Sequence, residues 1–156
     1  MCDNGDKSLE FLGMVRRQLP YLFDLYGFEP ELRIDDRNAE FRLVVLRSDQ
    51  CKIRFYMWQD VPEISLGTLN APARESTSNN SGTADWQDVN LVLGFLKRLH
   101  PELRPEIIKQ KSGSTAEETL AWYSARLRPY CDLAFAAFAH AASPDWWQAY
   151  NAFKQS

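Results

Sequence analysis

Apolar positions recur at near-helical spacing at both ends of the chain and alternate with polar ones in its middle. Residues 1–7 read as a loose polar tail, and Ser8 as an N-cap. Leu9, Leu12, Leu19, Leu22, Phe23 and Tyr26 then follow helical spacing, broken at Pro20 into a kink or two short helices. Gly27 fits the left-handed position past the last turn, Phe28 is expected to pack back near Phe23, and Pro30 confirms the stop. Four strands follow. Leu32 and Ile34 mark the first, and Asp35–Asn38 is a turn. Phe41, Leu43 and Val45 oppose Val44 and Leu46 in the second. The third sets Cys51, Ile53, Phe55 and Met57 against Lys52, Arg54, Tyr56 and Trp58. Gln59–Pro62 turns the chain into Ile64, Leu66 and Thr68. Tight turns between consecutive strands predict an antiparallel meander.

Residues 70–84 are rich in Ser, Asn, Thr and Pro and read as a mobile loop. The remainder is helical. Asp85 is placed to cap a helix whose stripe is Trp86, Val89, Leu93 and Leu96, ending near His100-Pro101. Pro105 suits the start of a short helix to about Lys111. Ser114–Glu117 has the spacing of a capping box. The long helix it opens carries Leu120, Tyr123, Leu127, Cys131, Ala134 and Phe138 on one stripe, with a kink or split at Pro129. Ser143-Pro144 caps a last helix with Trp146, Ala149, Tyr150 and Phe153 on one face. The expectation is one α+β domain over residues 1–156: an N-terminal helix, a four-stranded antiparallel sheet, and a helical C-terminal half packed on one sheet face.

Composition narrows the class. At 156 residues the chain is the size of one domain and is long enough for a core without staples. A net charge of −3 argues against nucleic acid as a partner, since such domains are strongly basic. Cys2, Cys51 and Cys131 are odd in number and unpaired in spacing, which fits a reducing compartment rather than a disulfide framework. With no signal-peptide pattern at Met1–Glu10 and no apolar run near the ~20 residues of a membrane span, a cytoplasmic protein with no membrane partner is expected.

Candidate chemistry is sparse. His100 and His140 sit at expected helix ends, where a cation is favoured by the helix dipole. Cys51 and Cys131 lie on apolar faces and read as inert small hydrophobes. Acidic pairs such as Asp35-Asp36 and Glu117-Glu118 suit a turn and a helix first turn. No glycine-rich phosphate loop, nucleophile elbow or paired Cys/His spacing is present. No catalytic residue, metal ligand or cofactor is assigned on this reading, and an enzyme is not expected.

The least ordinary feature is the outward row of the third strand. Tyr56 and Trp58, with Asp60 in the turn beyond, are candidate partner-binding residues, joined by Trp146, because one of Trp146 and Trp147 must leave its helix stripe. The commoner alternative has a C-terminal helix covering Tyr56 and Trp58, and Lys52 and Arg54 forming a wet rim.

Several segments resemble a group of small bacterial α+β proteins. These are Tyr21-Leu22-x-Asp24-x-Tyr26-Gly27-Phe28, Phe41–Ser48 with its Val-Val-Leu-Arg-Ser end, Cys51–Phe55, Ile64–Gly67, and Trp86-x-x-Val89 with Leu93 and Leu96, over roughly residues 8–100. Some members look like immunity proteins of polymorphic toxin systems, cytosolic inhibitors that bind a toxin directly. The resemblance implies a protein-binding module with a toxin as partner and brings no catalytic residue. A self-associating structural or regulatory domain, using the aromatic C-terminal helices, is the alternative. A hydrolase built from scattered carboxylates and Cys131 is the third reading.

Overall fold

Five antiparallel strands in the order β1-β2-β3-β4-β5 form the centre of the structure, a computed structural model that describes residues 7–36, 41–71, 86–103, 114–139 and 144–155. They are β1 (Glu29–Asp36), β2 (Phe41–Arg47), β3 (Lys52–Trp58), β4 (Val61–Gly67) and β5 (Trp86–Asp88). Each strand pairs with its neighbour in sequence, so the sheet is the expected meander with one strand more than the pattern showed. The extra strand is a correction at Trp86. Three residues are too few to display period two, and Trp86 stands three before Val89, which reads as helix. Trp86 instead pairs with Gly67, and the helix begins at Val89 with Asp88, not Asp85, as its cap; the Asp88 carboxylate accepts from the Asn90 N–H at 2.7 Å.

The helices are α1 (Lys7–Gln18), α2 (Pro20–Asp24), α3 (Val89–Leu99), α4 (Ala116–Leu127), α5 (Cys131–Ala137) and α6 (Pro144–Lys154). Pro20 separates α1 from α2, and a 3-10 turn at Arg128–Tyr130, containing Pro129, separates α4 from α5. Gly27 adopts φ +69°, as its place in the sequence demands. Phe28 lines one groove with Phe23 and Gly27, and its ring also meets Phe135 of α5 at 5.1 Å. The capping box is also shifted by one. Thr115 and Glu118 bond reciprocally to each other's backbone N–H, which leaves Glu117 for another partner.

All the described helices pack on one face of the sheet, hereafter the inner face. Val44, Leu46, Ile53, Phe55, Met57, Ile64 and Leu66 project there, into one core with Phe11, Val15 and Leu22 and the buried faces of α3 to α6. The stripe Leu120, Tyr123, Leu127, Cys131, Ala134, Phe138 is buried along its whole length. The N-terminal helices and the turn that follows them are fastened to α4 and α5 by polar contacts. Arg17 grips Glu117 through Nε (2.8 Å) and Nη2 (3.0 Å), Tyr21 Oη donates to the Ser124 carbonyl (3.0 Å), and Tyr26 Oη donates to Asp132 (2.6 Å).

The outer face carries a second, smaller cluster of Leu43, Val45, Ala71 and Trp86, with Leu32, Ile34, Phe41 and Tyr56 packed against it. Of the expected loop 70–84 only Asn70 and Ala71 are described, in a turn whose Ala71 is buried. Residues 1–6, the expected helix at 105–111, His140 and Ser143 lie outside the described residues.

Candidate binding surface

The row Lys52, Arg54, Tyr56, Trp58 alternates with Ile53, Phe55 and Met57, so it faces outward once the helices take the apolar set. This overturns the covered alternative, because every described helix is on the other side. It also overturns the wet rim. Lys52 and Arg54 are 7% and 2% exposed. Lys52 Nζ lies 3.0 Å from Glu31 and donates to the Ala71 carbonyl at 2.9 Å. Glu31 reaches it because β1 slips register between Pro30 and Leu32, and Arg47 adds a second cation at 3.3 Å. Arg54 lies over the Trp86 ring, 4.6 Å from its centroid. Trp86 in turn rests on Gly67, where no side chain intervenes.

The row is therefore closed at one end and open at the other. At the open end Phe41, Trp58 and Val61 stand side by side across three strands. Phe41 meets Tyr56 edge-on at 4.8 Å. Trp58 is 49% exposed and Val61 58%. These are large apolar surfaces on strands, where side chains usually find cover or a partner. Acids border them. Glu63 lies across from Tyr56 and is exposed, and Asp60 is exposed with Arg42 3.5 Å away.

The turn that presents Trp58 is itself unusual. Gln59 and Asp60 have φ of 50° and 63°, the two positive angles of a two-residue hairpin turn. Asparagine and glycine normally fill these positions; Gln59 has no such ease.

Tyr56, Trp58 and Asp60 are thus brought together, and Trp146 is not. Trp146 sits in the helical layer, half-buried, stacked on Tyr150 at 5.2 Å and edge-on to Phe95 at 5.3 Å. Trp147 is held by a bond from its Nε1 to the Ala137 carbonyl (3.1 Å). The C-terminal rings are largely engaged with one another, so they contribute to packing within the chain. Sequence reasoning missed Phe41 and Val61 as members of the patch. The strand pattern contained the signal, since Phe41 shares a face with Leu43 and Val45, but the register against Trp58 was needed to place it.

Other chemistry is muted. Burial pushes both the Cys51 and Cys131 thiols up to about 12, far from thiolate at neutral pH. His100 caps the end of α3, its backbone N–H bonded to Leu96 O at 2.8 Å. Among the described residues no cluster of three or more His, Cys, Asp or Glu is placed to hold a metal, and no helix is long and apolar enough to cross a membrane. Comparisons with family models, with curated proteins and with solved structures return no match.

Proposed function

We propose that this chain is a cytosolic protein-binding module, of the kind that inhibits a bacterial toxin by direct contact, and that the open end of the outer sheet face is its docking surface. The observation that carries the reading is the exposed Trp58 beside Val61, Phe41 and Tyr56 on the face that no described helix covers. Aromatic anchors of this kind dominate binding energy at interfaces. The bordering Asp60 and Glu63 favour a basic partner, whose lysines or arginines would meet the acids while an apolar group covers Trp58. The reading assigns the chain no catalytic step, no metal and no cofactor.

The test is capture of partners on the tagged protein from lysate of the source organism, followed by affinity measurement with the purified partner. Trp58→Ala is expected to weaken binding at least tenfold, the scale of a hot-spot residue. Its melting is expected to stay close to wild type, because the side chain is half exposed. Added salt is expected to slow association. Wild-type affinity in a folded Trp58→Ala protein, or an eluate holding only the bait, would overturn the reading.

A further inference from the structure

Pro20 opens α2 and Pro129, 109 positions later, lies in the 3-10 turn that follows α4, so each marks a break between helices. The fold sets the two breaks against one another. Together with Tyr21, Ala121 and Ala125 they wall a groove of about 550 Å³ between α2 and the α4–α5 junction, on the helical side of the molecule. That volume lies within the range that holds small organic ligands.

The charges at its rim are unequal. Arg17 is neutralised by its two-bond contact with Glu117, which also accepts from Gln18 Nε2 at 2.9 Å. Arg128 has no such acid. Its guanidinium lies over the Tyr21 ring, 4.5 Å from the centroid, and among the described residues no carboxylate lies within 4.0 Å of it. The Tyr21 hydroxyl is occupied with Ser124, so the ring is fixed beneath the cation. The groove thus offers proline rings, alanine methyls and an aromatic edge for an apolar body. It adds one exposed, pre-positioned guanidinium, the group best matched to a carboxylate.

We propose that this groove binds a small organic acid with a flat apolar body, its carboxylate paired with Arg128. The site is independent of the outer sheet face.

The probe is 2-naphthoate, with the neutral 2-naphthamide as its control, added to the whole 15N-labelled protein. Saturable shifts are expected at the amides of Gln18, Tyr21, Ala125 and Arg128. The amide probe, and 2-naphthoate added to Arg128→Gln, are each expected to bind about tenfold more weakly. Ala125→Phe, which keeps the cation and fills the groove, is expected to abolish the shifts. The proposal is overturned if naphthoate gives no saturable shift in the wild-type protein, or if naphthamide binds as well as naphthoate. It is equally overturned if folded Arg128→Gln or folded Ala125→Phe retains wild-type affinity.

Discussion

A methyl group at Gly67 would come within 2.8 Å of the Trp86 ring and 2.9 Å of Ala71 Cβ. Both neighbours are buried, so Gly67→Ala must displace the indole from Arg54. The expected cost is about 1–3 kcal/mol, typical of overpacking, seen as a lower urea midpoint at unchanged slope. The opposite sign is expected one hairpin turn away. Replacing Gln59-Asp60 with Asn-Gly keeps the positive φ angles and removes their steric penalty, so stability should rise by about 1 kcal/mol in the same assay. The gain would show that the native turn holds Trp58 at a conformational cost. Two glycines illustrate how far the sequence can be read. Gly27 announces its left-handed geometry by following an apolar helical run. Gly67 does not announce its role, because the ring that needs its space comes from a residue nineteen positions later, across a segment of polar sequence.

At the scale of elements, α1 is clamped to α4 by Arg17 and Glu117. The hydrogen bonds from Arg17 and then Gln18, with the nearby positive charge, hold the Glu117 carboxyl at about 2, below its ordinary 4.5. A depressed carboxylate binds its proton more readily in the unfolded chain. Its stabilising effect is therefore complete above pH 4.5 and is lost as pH falls towards 2. Glu117→Gln should accordingly melt below wild type at neutral pH, with the gap closing through that acid window. Calorimetric melts of the two proteins across the window measure it, and a constant gap would deny the clamp. Much of the helical layer was legible beforehand: the stripe from Leu120 to Phe138 and the breaks at Pro20 and Pro129 depend only on local spacing. The facing of those two breaks was not, since it comes from packing between the ends of the chain. The enclosure of Lys52 and Arg54 is hidden from the sequence for the same kind of reason. A cation beside alternating apolar residues looks solvated until the Glu31 bulge and the Trp86 ring, both supplied by other strands, enclose it.

For the molecule as a whole, the sheet separates two environments. The inner core takes both described thiols, and burial holds each at about 12. Neutral-pH alkylation of the native protein, read by peptide mass spectrometry, should leave Cys51 and Cys131 unmodified, and both should label at once in denaturant. Labelling of either in the native state would mean that the inner core opens far more readily than its packing implies. Which face the helices would choose decided the fate of Tyr56 and Trp58, and period-two alternation cannot by itself make that choice. It followed from the uncharged row Ile53, Phe55, Met57 meeting the helical stripes, which left the mixed row to the other side.

The meander has a consequence for the order in which the chain can fold during synthesis. Every strand pairs with its neighbour, and the last one closes at Asp88, so the whole ladder is available from contacts short in sequence. The fastenings of α1, α2 and the turn after them instead reach across 100 to 106 residues to Glu117, Ser124 and Asp132. A ribosome adding roughly 5–20 residues per second leaves an interval of seconds in which the sheet exists and its inner apolar face still waits for α4 and α5. The nascent chain is thus most open to chaperones, and to aggregation, when its strands are complete and the partners of its first helices have yet to emerge.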